Sequence, residues 1–156
     1  MFDLTGQVAV ITGSSRGIGR ATAECMARAG AKVVVSSRKP AACQAVADAI
    51  MASGGEAMVV PCNVSEKDQL QNLIDQTVAR FGRLDILVSN AAVNPYFGPM
   101  AKMPDEAYDR IMNSNVRSNF WLCNMAAPHM VASGGGSIII ISSIGGRQGS
   151  PTLAVY

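Results

Sequence analysis

Five short apolar runs rich in β-branched residues recur along the chain: Val8 to Ile11, Val33 to Val35, Met58 to Val60, Ile86 to Val88 and Ile138 to Ile141. Each is bounded by turn residues and shows no polar alternation, the pattern of a strand buried on both faces. Segments of helical period lie between them. Ile18, Ala21, Thr22, Cys25, Met26 and Ala29 form one apolar stripe, and Leu70, Leu73, Ile74, Val78 and Phe81 form another. Strands apolar on both faces need helical cover on both, and strict alternation supplies it. The expected fold is α/β, a doubly wound parallel sheet with right-handed crossovers.

Local signals mark several boundaries. Ser65 with Asp68 three residues on reads as a helix cap, and Gly82 as the stop after Phe81. Pro104-Asp105-Glu106 opens a long helix reaching about Val131, and Gly134 to Gly136 lead into the last strand. No linker, repeat or low-complexity tract interrupts the 156 residues. The expectation is one domain over 1–156, able to bury roughly 70% of its unfolded surface.

Composition removes several function classes. Charged residues make up 15%, against about 25% in average chains. The net charge of +2 gives no broad field for nucleic acid or an anionic membrane. The longest aliphatic run, Ile138 to Ile141, is far too short to span a bilayer, and the N-terminal MFDLTGQVAV lacks the flank and core of a signal peptide. A cytoplasmic location follows as the expectation. Cys25, Cys43, Cys62 and Cys123 are far apart, with one histidine in the chain, so neither a metal site nor a disulfide framework is expected. That histidine, His129, follows Pro128 with no nucleophile motif around it and reads as a helix-end residue.

The first strand runs directly into Thr12-Gly13-Ser14-Ser15-Arg16-Gly17-Ile18-Gly19 and then a helix. Glycines let the backbone turn sharply and approach a ligand, and the N–H groups opening the helix suit a phosphate. A Gly-rich turn alone is weak evidence. After the first strand of a βαβ unit it marks the place where a dinucleotide pyrophosphate binds.

The spacing Thr-Gly-x-x-x-Gly-x-Gly resembles that of the classical short-chain dehydrogenase/reductase family. Further matches follow in order. Asn90-Ala91-Ala92 after the fourth strand resembles the family's Asn-Ala-Gly, with Ala92 in place of the glycine. Asn115 lies in the long helix, Ser143 ends the fifth strand, and Tyr156 stands thirteen residues later. The resemblance covers the whole chain and implies a Rossmann-type sheet, here its first five strands. It also implies hydride transfer between a nicotinamide cofactor and a small-molecule carbonyl or alcohol. It places cofactor contacts at Gly13, Ser15, Arg16, Gly17, Ile18 and Gly19, at Ser37 and Arg38, at Asn63 and Val64, and at Asn90, Ala91 and Ala92.

The residue types suit that chemistry. Hydride reaching a carbonyl carbon builds negative charge on oxygen, and a proton must follow, so a tuned hydroxyl acid is wanted beside a second donor. By resemblance Tyr156 is the acid/base, Ser143 orients the substrate oxygen, and Asn115 holds a water. A phenol titrates near pH 10, so a phenolate at neutral pH needs roughly 4 kcal/mol of stabilisation. The family draws much of this from a lysine four residues beyond the tyrosine, and the sequence stops at Tyr156. The piece alone is therefore expected to be truncated, catalytically silent and poorly soluble, with Ser137 to Ser142 a bare edge strand. When complete, it is expected to form a homo-oligomer.

The second strand leads into Ser36-Ser37-Arg38-Lys39, with no carboxylate to hold both ribose hydroxyls. Ser37, Arg38 and Arg16 can instead bond a 2′-phosphate, so NADP(H) is preferred and NAD(H) remains possible. Asn63 stands where the family usually has aspartate, and its amide oxygen can still accept from the adenine amino group. Two other readings stay open. One is a non-catalytic dinucleotide-binding or subunit-interaction fragment; the other, a methyltransferase-like nucleotide binder, leaves the Ser143 and Tyr156 pairing without a role.

Overall fold

The computed structural model describes residues 2–153, 155 and 156. Five strands, β1 (Val8–Thr12), β2 (Lys32–Ser36), β3 (Glu56–Val59), β4 (Ile86–Ser89) and β5 (Ser137–Ile140), form one sheet in the order β3-β2-β1-β4-β5. All four pairings are parallel, with Val10 opposite both Val34 and Leu87. Among the described residues five α-helices connect them: α1 (Gly17–Arg28), α2 (Pro40–Ala52) and α3 (Lys67–Phe81) singly, and α4 (Asp105–Met112) with α5 (Ser118–Ala132) between β4 and β5.

The side-chain period of two splits the core into two layers. Ala9, Ile11, Val33 and Val35 pack under α1 and α2, with Ala23, Ala27, Val46 and Ile50. Val10, Val34 and Leu87 point the other way, against Leu70, Leu73 and Ile74 of α3 and Leu122 and Ala126 of α5. The three inner strands β1, β2 and β4 are buried as expected, whereas β3 and β5, the two edges of the sheet, are not: β3 is at most half-buried and β5 is exposed along its length. The architecture is a Rossmann-type α/β fold.

Three local readings are corrected. In α1 the buried face is Gly19, Ala23 and Ala27, while Ile18 is 66% exposed and Cys25 also faces solvent. Close approach of helix to sheet selects the smallest side chains, so the bulkier stripe turns away, apart from Met26, which packs on the core edge. Ser65 does not cap α3. The N-cap position is Glu66, and the Ser65 hydroxyl instead pairs with that of Ser114 at 2.8 Å. The helical stretch from Pro104 does run to Ala132, but it is not one regular α-helix: a π turn over Asn113–Arg117 separates α4 from α5. Gly82 does end α3, at φ +76° in the left-handed region.

Strand β5 lies at the sheet edge, and Ile138, Ile139 and Ile140 are 39%, 41% and 49% exposed. No described helix is long and apolar enough to cross a membrane.

Candidate functional site

At the carboxyl ends of the strands a cleft of about 1330 Å³ opens. That exceeds the roughly 300–1,000 Å³ of ordinary small-ligand pockets and suits an extended ligand. Twelve of the thirteen cofactor residues expected from sequence line it: Gly13, Ser15, Arg16, Gly17 and Ile18, Ser37 and Arg38, Asn63 and Val64, and Asn90, Ala91 and Ala92. Gly19 does not. It is buried, and a Cβ there would fall 2.5 Å from both the Gly13 carbonyl oxygen and Asn90 Nδ2. Its part is to let α1 close against the loop.

The loop between β1 and α1 is held from beneath. The Thr12 hydroxyl accepts from the N–H groups of Asn90 (3.0 Å) and Ala91 (3.1 Å), and Asn90 Nδ2 donates to the Thr12 and Gly13 carbonyls. Asn90 therefore clamps two loops with its amide donor. Ser14, fully buried, donates to the Ile11 carbonyl (2.7 Å) and accepts from Ser36 N (2.8 Å), fastening the loop to the end of β2. Ser14 was missed as a positioning residue because the motif treats it as a spacer, and Thr12, which the motif names, was given no role of its own. Buried hydroxyls beside glycines are the signal that could have found them.

Above this floor the site is open and cationic. Gly17 lies at φ +58°, and a Cβ on it would meet nothing within 4 Å. No side chain caps the N-terminus of α1, and its first turn holds no acidic residue. Free N–H groups at a helix start beside an uncluttered glycine form a seat for a phosphate anion. Arg16, Arg38, Lys39, Arg110 and Arg117 line the cleft against one carboxylate, Asp109. A chain of small net charge has thus concentrated its positive charge here.

The adenine-side residues are partly engaged already. Ser37 Oγ lies 3.1 Å from the buried Cys43 sulfur and accepts from Lys39 N at 3.3 Å. Asn63 Oδ1 accepts from Ser65 N at 3.3 Å, leaving its second lone pair for a ligand. Cys62 lines the cleft beside it, and burial pushes its thiol up to about 11. Ala92 strains nothing, because no described non-glycine residue has a positive φ.

The three residues expected to be catalytic stand apart from the cleft lining. Asn115, in the π turn, holds Val93 by both backbone groups: Val93 N donates to Oδ1 and Nδ2 donates to the Val93 carbonyl, each at 2.9 Å. Ser143 Oγ accepts from Gly145 N at 3.1 Å. Tyr156 is 38% exposed, and its carbonyl oxygen lies 3.5 Å from where a Gly145 Cβ would stand, so the segment folds back toward Ser143. Among the described residues neither hydroxyl bonds the other. No group of three metal-ligating side chains occurs among them either.

A family model described as short chain dehydrogenase matches residues 7–156. The chain belongs to the short-chain dehydrogenase/reductase family. It is 40% identical over 151 residues to tropinone reductase-like 3 of Erythroxylum coca, covering 97% of this chain and 58% of that protein. It is also 40% identical to dehydrogenase/reductase SDR family member 4 of Bos taurus, covering 98% of this chain and 55% of the other. The chain thus spans little more than half the length of these curated relatives. Among solved structures, a metagenomic short-chain oxidoreductase in complex with NADP superposes with a TM-score of 0.88 at 39% identity, over 93% of this chain and 66% of that one. A 7α-hydroxysteroid dehydrogenase complexed with NADH and 7-oxo glycochenodeoxycholic acid gives 0.94 at 36% identity, over 99% and 60%. For this short-chain dehydrogenase/reductase, the strand-end cleft lies where ligands bind in open parallel α/β sheets.

Proposed function

We propose that this short-chain dehydrogenase/reductase binds NADP(H) in preference to NAD(H) and serves hydride transfer between the nicotinamide and a small-molecule carbonyl or alcohol. The observation carrying this reading is the cleft itself, which joins an open glycine loop at an uncapped helix start to Ser37, Arg38 and Lys39 at the end of β2. Relatives complexed with NADP and with NADH support the cofactor class. Residues 1–156 are read as one dinucleotide-binding unit.

In this reading the pyrophosphate lies on the N–H groups opening α1, where Gly17 leaves room. Arg38 and Arg16 bond the 2′-phosphate through charge-assisted contacts that a carboxylate at this place would repel. Asn63 accepts from the adenine amino group, and Val64 packs beside it. Asn90 keeps the glycine loop in place, and Ala91 and Ala92 wall the far end. When bound, the nicotinamide supplies or accepts the hydride. Tyr156 Oη gives or takes the proton, and the Ser143 hydroxyl donates its O–H to the substrate oxygen while its oxygen keeps accepting from Gly145 N. Free cysteines at all four positions fit a cytoplasmic setting. Exposed Val116, Phe120 and Val131 fit a homo-oligomer.

Equilibrium titration with NADPH and NADH tests the preference. The unaltered chain should bind NADPH at least tenfold more tightly, and Arg38→Asp should erase or reverse the difference. Equal affinities in the unaltered chain would sink the proposal. A second reading, a unit that binds the dinucleotide without turning over, is favoured by Ser143 and Tyr156 standing outside the cleft lining. Carbonyl-dependent oxidation of NADPH by the purified chain would rule that second reading out.

A further inference from the structure

We infer that Asn119 is a positioning residue for the nicotinamide end of the cleft, acting through Asn115 on Val93. The inference rests on the dinucleotide reading above and assigns a role to a side chain outside the family motifs. It begins with the π turn. The Ser118 N–H reaches back five residues to the Asn113 carbonyl, so the ordinary four-residue ladder slips by one through this segment. Slippage leaves the turn's carbonyls poorly matched to the helix that follows.

Asn119, in the first turn of α5, takes up one of them. Its Nδ2 donates to the Asn115 carbonyl at 2.6 Å, and its Oδ1 accepts from the hydroxyl of Ser89, the last residue of β4. Ser89 is 4% exposed and Asn119 half-buried, so this contact lies at the edge of the core. From Asn115 the connection passes through both carboxamide atoms to the N–H and carbonyl of Val93, each at 2.9 Å. Val93 lines the cleft and follows Ser89 by four residues.

The four residues close a ring: β4 to Asn119, Asn119 to Asn115, Asn115 to Val93, and Val93 back along the chain to β4. A closed ring of directed bonds fixes the Ala91 to Val93 wall relative to the sheet, which the irregular backbone there cannot do alone. The adenine end, built on Ser37, Arg38 and Asn63, lies across the sheet beyond β1 and bonds none of the four ring residues; its nearest tie is through Ser65, which bonds Asn63 on one side and Ser114 and Asn113 of the π turn on the other. Loss of Asn119 should therefore be felt at one end of the ligand and not the other.

The test compares NADPH with adenosine 2′,5′-bisphosphate, which keeps the adenine end and lacks the nicotinamide. Asn119→Asp retains the acceptor for Ser89 and loses the donor to Asn115, and Asn119→Ala loses both. Each should weaken NADPH about tenfold, the worth of one lost directed bond, while the bisphosphate binds within twofold of the unaltered chain. Ser89→Ala, which deletes one hydroxyl, carries the same test if the Asn119 variants do not fold. Equal weakening of both ligands would reduce Asn119 to general support of the fold, and unchanged NADPH affinity would remove its role; either overturns the inference. An unaltered chain that binds neither ligand would instead bring down the dinucleotide reading, and this inference with it.

Discussion

Replacing Asp85 should destabilise the sheet at the end opposite the cleft, by an amount that depends on pH in a stated direction. Asp85 precedes β4 and is 6% exposed. Three donors converge on its carboxylate: Val8 N (2.8 Å) and Arg83 Nε (2.8 Å) on Oδ2, and an Arg83 terminal nitrogen (2.7 Å) on Oδ1. Its own N–H and carbonyl join Val8 and Ser137, so one residue ties β1, β4 and β5 together. Burial pushes the carboxyl up, but the Arg83 fork, the Val8 N–H and the Arg83 charge outweigh it and hold the group below the ordinary carboxylate range. In Asp85→Asn one oxygen becomes an N–H₂ group, so at least one donor faces another donor. A buried donor left unpaired costs about 1–3 kcal/mol. The Arg83 side chain is 45% exposed, so its share is screened, and about 2 kcal/mol is expected overall. A carboxylate with a depressed folded pKa gives stability that is full above its unfolded value, about 3.9, and lost as pH falls through the folded value. Urea unfolding followed by circular dichroism at pH 7, 5 and 3 should show the gap between the two proteins intact at pH 7 and 5 and shrinking at pH 3. A variant as stable as the unaltered chain at pH 7, or a gap that widens in acid, would refute the reasoning.

Gly19→Ala should lower stability by about 1–3 kcal/mol and abolish NADPH binding, because the added carbon would meet the Gly13 carbonyl 2.5 Å away; thermal melts and ligand titration check both. In timed alkylation at pH 8, Cys25 should react first and the buried Cys43 and Cys62 last, Cys62 being slowed further because burial pushes its thiol up to about 11; mass spectrometry of peptides reads the order. Ile139→Lys, on an edge strand where Ile139 is 41% exposed, should reduce self-association seen by light scattering; unchanged scattering would clear that edge of responsibility.

The sheet was legible because buried parallel strands write themselves as unbroken apolar runs, and all five appear within two residues of where Val8, Val33, Met58, Ile86 and Ile138 place them. The glycine loop was legible because a positive φ at Gly13 and Gly17 demands that residue type. The face of α1 was not. Hydrophobicity points to Ile18 and Cys25, whereas packing distance chose Gly19, Ala23 and Ala27, and size at a contact is invisible without the partner surface. The π turn was hidden too, since its cause is tertiary: Asn115 is drawn to Val93 and Ser114 to Ser65. Ser65 looked like a cap because Asp68 follows it, yet its hydroxyl is taken by a residue forty-nine positions away.

Amide hydrogen exchange with and without NADPH tests directly whether a dinucleotide occupies the strand-end cleft. Bound NADPH should slow exchange at Gly13 to Gly19, Ser37 to Lys39, Cys62 to Ser65 and Asn90 to Val93, four segments distant in sequence that line or floor one cleft. Exchange unchanged at saturating NADPH, or protection confined to the small pocket between α1 and α2 at Glu24, Arg28 and Ser53, would contradict it.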